Sequence, residues 1–195
     1  MRVKEGNKEA DILDAAIKVF AKNGFHNAKI YNIAEFAGIA TGSIYLYFKS
    51  KEAILNKIFE NLWGQLYKEI SALKQRSDIN SISKIDQLID LFFDIFYNKP
   101  LLAIVFVNEQ TNASHKKDGL WIKYSERFIE DGEIILTDGI NKGDINRNIN
   151  VKAFRYFLLG GLRYMIDNWA KDEKTPSIDI LRQNVKLIIK KGILI

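Results

Sequence analysis

Apolar residues recur at helical spacing along most of this chain. In residues 9–22, Ile12, Ala16, Val19 and Phe20 fall on one stripe, and the following Asn23-Gly24 predicts the end of that helix. No stretch shows sustained strand alternation, so the sequence predicts an all-α fold of about nine helices. The other eight are predicted over residues 30–37, from Ala40 or Thr41 through Tyr47, from Lys51 to about 75, over 85–97, from Pro100 to about 111, from Gly119 to about 141, over 151–171 and over 178–190.

Helix length divides the chain into two parts. The first three predicted helices are short and end in tight glycine turns, whereas the later ones are longer and more apolar. Ser50 is expected to cap the long fourth helix, whose apolar period continues to about residue 75. The pattern therefore predicts a small head, residues 1–50, and a larger body, residues 51–195.

Composition excludes several kinds of protein. Hydrophobic residues make up 47% of the 195 residues, enough for a packed core, and no cysteine is present to form disulfides or thiolate metal sites. His26 and His115 have no second ligand at metal-binding spacing, so neither a metal nor another cofactor is expected. No apolar run approaches the ~18 residues of a membrane span, and residues 1–7 lack the apolar core of a secretory signal, so a cytoplasmic protein is expected.

The stretch AGIATGSIYLYFKSK, residues 37–51, lies in a mildly basic region and combines a glycine turn with a short helix. The net charge is +5, and nine Lys and Arg against six Asp and Glu place +3 of it in the first 57 residues. A helix, a turn at Gly38 and a second short helix form the helix-turn-helix pattern, whose second helix enters the major groove of DNA. Short side chains would meet base edges there, while tyrosine hydroxyls and lysine ammonium groups would bind phosphates. The predicted DNA-binding residues are Tyr31, Asn32, Thr41, Gly42, Ser43, Tyr45, Tyr47, Lys49 and Lys51.

Two segments, ILDAAIKVFAKNGF (12–25) and IAEFAGIATGSIYLYFKSKEAIL (33–55), resemble the DNA-binding head of the TetR family of bacterial transcriptional regulators. The resemblance implies a homodimer that binds a palindromic DNA operator and responds to a small ligand in its body. Two residues depart from the family pattern. Ala40 stands where a capping Ser or Thr is common, so Thr41 is expected to cap the third helix instead, and Leu46 replaces an aromatic residue or His.

Three segments of the body, LAIVFVNEQTN (102–112), TDGINKGDIN (137–146) and DNWAKD (167–172), are similar to fatty-acid-degradation repressors of that family. The similarity implies an acyl-CoA as the effector, and the aromatic residues of the middle helices would supply its apolar pocket. The predicted ligand-binding residues are Trp63, Phe92, Phe93, Phe96, Tyr97, Phe106, Trp121, Tyr124 and Phe128. The candidates for binding the effector phosphates are Lys116, Lys117, Lys123 and Arg127.

Two glycines, Gly160 and Gly161, lie inside the predicted eighth helix, where each costs roughly 1 kcal/mol relative to alanine. Such glycines are tolerated where another helix comes close, and the last predicted helix has one apolar face. In the resembled family the last two long helices form the dimer interface. The predicted interface residues are Phe157, Gly160, Gly161, Tyr164, Leu181, Val185 and Ile188.

The sequence thus predicts a ligand-responsive DNA-binding repressor, released from its operator by a small apolar effector such as a long-chain acyl-CoA. One alternative is an effector-independent DNA-binding protein or an activator, in which the aromatic residues form only a core. The other is a helical enzyme with a DNA-binding head. Because the sequence shows no nucleophile–base pair, paired carboxylates or phosphate-binding loop, no enzymatic activity is expected.

Overall fold

Nine α-helices form the regular structure of residues 8–114, 119–172 and 174–193, which the computed structural model describes. No strand occurs within these ranges, so the predicted all-α fold is confirmed. The helices are α1 (Lys8–Asn27), α2 (Ile30–Ala37), α3 (Thr41–Ile44), α4 (Lys51–Gln75), α5 (Ser81–Phe96), α6 (Pro100–Ser114), α7 (Leu120–Lys142), α8 (Val151–Lys171) and α9 (Ile178–Ile193). Among the described residues, none of these helices has the length and apolar character needed to cross a membrane.

Local signals end or begin several helices where the sequence predicts. Gly24 breaks α1 with a φ of 71°, and one more turn follows to Asn27. Gly38 ends α2 with a φ of 67°, in the left-handed region that residues with a Cβ rarely adopt. Ser50 begins α4, where its Oγ accepts a hydrogen bond from the Ala53 N–H at 3.3 Å.

Several helix boundaries differ from the sequence prediction. The helix α3 ends at Ile44, and the chain continues in turns. The helix α5 begins at Ser81 rather than at residue 85, because the Asn80 side chain caps it by accepting a hydrogen bond from the Ser83 N–H at 2.9 Å. The helix α6 extends to Ser114, into a segment predicted to be a loop.

The helices α1, α2 and α3 pack around a small apolar core. The predicted stripe of α1 is buried in it and meets side chains from the two shorter helices and from the turn before α4. The core residues include Ile12, Ala16, Val19, Phe20, Ile33, Ala34, Ile44 and Phe48. Burial of this stripe holds α2 and α3 against α1 and leaves their other faces accessible.

The helix α4 connects the head to the body. It spans 25 residues, or about 37 Å at the usual rise per residue. In the body it packs along α7, where the buried Asp131 accepts hydrogen bonds from the Ser71 Oγ at 2.9 Å and from the Lys74 Nζ. The helix α4 is therefore held by the body at one end and reaches the head at the other.

A row of ion pairs joins α5 to α9. Three aspartates of α5 face three basic residues of α9, with a spacing of four residues along each helix. Asp86 pairs with Lys186 and Lys190, Asp90 with Lys186 and Arg182, and Asp94 with Arg182. Burial alone would lower the pKa of Lys186, but its hydrogen bonds to Asp90 and Asp86 outweigh that effect and raise the pKa.

Candidate DNA interface and effector cavity

The turn between α2 and α3 presents the first turn of α3 to solvent. Thr41 and Gly42 are exposed, Ser43 is partly exposed, and no side chain caps the helix at Ala40. Thr41 stands inside the first turn instead of capping it, which corrects the capping role expected of this residue. The Thr41 hydroxyl therefore does not cap the N-terminus of α3. The exposed first turn of such a helix can meet base edges in the major groove.

Most of the other residues predicted to bind DNA are accessible. Tyr31, Tyr45, Tyr47 and Lys49 are exposed, and Asn32 is partly exposed. Leu46, which the sequence marks only as a departure from the family pattern, is 83% exposed between the two tyrosines. Leu46 belongs to the same surface. The contact of each of these residues with DNA stays a prediction.

Lys51 has a structural role that the sequence prediction did not include. Its Nζ donates hydrogen bonds to the carbonyls of Phe25, His26 and Ala28 at 2.8, 2.9 and 3.1 Å, and lies 4.7 Å from the centre of the Phe25 ring. These bonds use all three N–H donors of the ammonium group. Lys51 therefore joins the start of α4 to the end of α1, and its predicted phosphate contact would require one of these bonds to break.

The body binds the same segment of the head. Glu109 of α6 is buried, and its Oε1 accepts a hydrogen bond from the Phe25 N–H at 3.0 Å. The N–H of Phe25 is thus bound by the body, and its carbonyl by Lys51. Because Glu109 and Phe25 are 84 positions apart, no periodicity in the sequence indicates this contact.

A cavity lies between α4, α5, α7 and α8 of the body. The cavity is narrow in this structure, with a volume of about 90 Å³. An apolar chain could move out of water into this cavity, and no polar group of either would lose a hydrogen-bond partner. The wall consists of Ile70 from α4, of Ile85, Leu88, Ile89 and Phe92 from α5, of Phe128, Ile129, Gly132, Glu133 and Leu136 from α7, and of Val151, Phe154, Arg155, Leu158, Leu159 and Leu162 from α8.

Glu133 and Arg155 are the two charged residues of this wall. The Glu133 Oε1 lies 2.6 Å from the Arg155 Nη1, and the two side chains are 28% and 24% exposed. The guanidinium carbon also lies 4.5 Å from the centre of the Tyr156 ring. The ion pair therefore joins α7 to α8 at the edge of the cavity, where the apolar interior meets solvent.

Most of the aromatic residues predicted to bind the ligand lie outside this cavity. The structure places Phe92 and Phe128 at the cavity, and the remaining wall is mainly aliphatic. Of the others, Trp63, Phe93, Phe96, Phe106 and Trp121 are buried in the core, Tyr97 is exposed, and Tyr124 stacks on Tyr67. In sequence, the aliphatic wall residues are indistinguishable from ordinary core residues.

The basic residues predicted to meet the effector phosphates are also not at this cavity. Lys123 is exposed on α7, and Arg127 is 58% exposed and lies 3.8 Å from Glu130. The basic residue at the cavity is Arg155, and no periodicity distinguishes it in the sequence. The remaining candidates, Lys116 and Lys117, lie outside the described residues, as does His115.

The helices α8 and α9 carry an exposed apolar surface. Among the residues predicted to be at the dimer interface, Phe157, Tyr164 and Ile188 are exposed, and the space beside Gly160 and Gly161 is open. Val185 is only 5% exposed and so is buried within its own chain, whereas Leu181 is partly exposed and packs against the core of the same chain. Tyr156, Ile180 and Leu187 are exposed on the same two helices, and the prediction omitted them.

An accessible helix-turn-helix head, joined to a helical body by one long helix, defines a DNA-binding regulator. Residues 12–58 match the sequence profile of the bacterial regulatory proteins of the tetR family, and residues 59–192 match that of the YsiA-like protein C-terminal region. The chain belongs to the TetR family.

Three relatives are similar over nearly the whole chain. The fatty acid metabolism regulator protein of Bacillus subtilis is 31% identical over 189 residues, or 95% of each chain. The structure of the fatty acid degradation regulator FadR from Bacillus halodurans is 27% identical, with a TM-score of 0.80 and 97% of both chains covered. That of FadR from Bacillus subtilis in complex with stearoyl-CoA is 28% identical, with a TM-score of 0.78, and covers 94% of this chain and 98% of the other.

Proposed function

We propose that this protein is a homodimeric transcriptional repressor that leaves its operator when a long-chain acyl-CoA binds in the body. The observation that carries the proposal is the cavity between α4, α5, α7 and α8, whose wall is apolar except for the pair Glu133–Arg155. Such a cavity suits an effector with a long apolar chain and an anionic group. The relatives that regulate fatty acid metabolism and degradation, one of them in complex with stearoyl-CoA, support this effector class.

A palindromic operator has two equivalent half-sites, so it is bound by a dimer with one recognition helix for each. Two recognition helices must fall in successive major grooves, about 34–36 Å apart. The exposed apolar surface of α8 and α9, with Phe157, Tyr164 and Ile188, supports a dimer that would bury it. The head, residues 1–50, would bind DNA in the cytoplasm, and the body, residues 51–195, would hold the effector and the dimer interface.

The effector would act through α4. This helix contributes Ile70 to the cavity and begins at Lys51, whose hydrogen bonds hold the end of α1. A chain that enters between α4 and its neighbours would displace α4 and change the distance between the two heads. To move the population from about 99% DNA-binding to about 1%, the effector must favour the released form by about 5.5 kcal/mol.

The proposal is tested by fluorescence anisotropy on a labelled duplex from upstream of the protein's own gene. We expect binding that weakens with salt and is abolished by palmitoyl-CoA but not by coenzyme A alone. Recovery of intact palmitoyl-CoA after incubation would support binding without turnover, as expected for a regulator and not for an enzyme. Tight DNA binding that palmitoyl-CoA leaves unchanged would instead favour an effector-independent DNA-binding protein or an activator.

A further inference from the structure

We propose that Arg155 recognises the anionic group of the effector, and that Glu133 competes for Arg155 in the free protein. The inference rests on the proposed function, because it concerns the same cavity, and it names the residue that selects for charge. The recognised chemistry is a carboxylate or a phosphate attached to a long apolar chain. A free fatty acid would supply the carboxylate, and a coenzyme A thioester would supply phosphates.

The position of Arg155 fits this role. Its guanidinium lies at the edge of an otherwise apolar cavity and is partly accessible to solvent. Arginine presents parallel N–H groups that match two oxygens of a carboxylate or phosphate. In the free protein the Glu133 Oε1, 2.6 Å from Nη1, occupies part of that donor set. An effector that lays its chain along the cavity brings its anionic group within reach of the same donors.

Glu133 holds the Arg155 guanidinium when no effector is bound. A guanidinium beside an apolar cavity needs a counter-charge, and Glu133 supplies it when no effector is bound. An anionic effector can replace the Glu133 carboxylate on Arg155, and the released carboxylate is already 28% exposed and can turn to water. A neutral chain offers no replacement and must bind with the ion pair intact. Selection for charge therefore comes from Arg155, and Glu133 lowers the affinity of the site for an anion.

Two other basic residues of the body are committed elsewhere. Arg163 of α8 donates to the Val107 carbonyl, and Lys74 of α4 pairs with the buried Asp131. Neither forms part of the cavity wall, whose charged members are Glu133 and Arg155. The proposal thus depends on one guanidinium, which makes it testable by single substitutions.

The experiment compares Arg155→Gln and Glu133→Gln with the wild type as full-length protein. Binding of palmitoyl-CoA, palmitate and a neutral palmitoyl thioester of N-acetylcysteamine is measured by calorimetry, and melting temperatures verify that each variant folds. We expect Arg155→Gln to weaken binding of the anionic ligands about tenfold, the effect of losing one charge-assisted hydrogen bond, and to change the neutral thioester less than about twofold. Glu133→Gln should strengthen anionic binding several-fold, since the competing carboxylate is gone.

Arg76→Gln is the matched control, because Arg76 pairs with Asp78 on the surface and neither residue lies at the cavity. An Arg155→Gln variant that binds all three ligands like the wild type would overturn the inference and leave the proposed function intact. A wild-type protein that binds none of them would overturn both. Weaker anionic binding by Glu133→Gln would also overturn the inference, even if Arg155→Gln failed to fold. Loss confined to palmitate or to palmitoyl-CoA would support it and identify the source of the anion.

Discussion

Lys51→Met tests the contact between the head and the start of α4. Methionine keeps an apolar stem over the Phe25 ring but removes the hydrogen bonds to the carbonyls of Phe25, His26 and Ala28. Hydrogen bonds to a charged group contribute roughly 1.5–3 kcal/mol each when they are removed singly. Here three of them share one half-exposed ammonium, and water can reach the His26 carbonyl. We therefore expect a total loss of about 2 kcal/mol in the free energy of unfolding.

The assay is thermal unfolding by circular dichroism in the absence of DNA. For a chain of this length, a loss of about 2 kcal/mol lowers the melting temperature by roughly 4–8 °C. Lys49→Met is the matched control, because Lys49 is an exposed lysine two positions away. Its melting temperature should stay unchanged, while the slope of log affinity against log salt on DNA should fall by about 0.9 per head if Lys49 binds one phosphate.

One result would refute this reasoning. If Lys51→Met melts within about 1 °C of the wild type and loses DNA affinity and salt dependence like Lys49→Met, the three carbonyl contacts contribute little to stability. Lys51 would then act on DNA through phosphate charge, as the sequence alone predicts. A lower melting temperature without DNA would instead establish the internal role.

Three further predictions concern the head and the row of ion pairs. Gly38→Ala should lower the free energy of unfolding by about 1 kcal/mol, because Gly38 has a positive φ. Gly42→Ala should change it little, because Gly42 has no positive φ and open space beside it. Urea unfolding measures both. Tyr45→Phe should weaken binding to operator and random duplexes alike with little change in salt slope, and altered base preference in anisotropy assays would contradict the phosphate role. Lys186→Met should destabilise the protein near pH 8. Because the pKa of Lys186 is raised in the folded protein, its ion pairs stabilise the fold fully at pH values below the usual lysine pKa of 10.5. That difference from the wild type should shrink as the pH rises through the folded pKa, and a difference that grows above about pH 10.5 would contradict the sign.

The sequence predicts what depends on neighbouring residues. The break in α1 and the end of α2 follow from Gly24 and Gly38, and the start of α4 follows from Ser50. Each signal acts through backbone geometry or a hydrogen bond within a few residues. Where a cap was overlooked, as at Asn80, the boundary was wrong by four residues. The helix-turn-helix motif was predictable for the same reason, since its turn and its accessible helix lie within one short stretch.

Periodicity alone could not assign the faces of α9. Val185 and Ile188 both belong to its apolar residues, yet Val185 packs into the chain's own core and Ile188 is exposed. A helix that contacts its own body on one side and offers an apolar surface on the other has two apolar faces. Which residue belongs to which face depends on how the helix is rotated against its neighbours, and the ion pairs with α5 contribute to that rotation.

The sequence by itself therefore determined the helices, the glycine turns and the motif that carries DNA binding, because these depend on interactions within one or two helical turns. Only the tertiary structure decided which side chains meet across the fold. Lys51 reaches the end of α1, Glu109 reaches Phe25, and Arg155 meets Glu133 at the edge of an aliphatic cavity. These contacts join residues 22 to 84 positions apart, so they depend on the crossing angles and rotations of packed helices. Those angles arise from the packing of the whole core and are not encoded in any single segment.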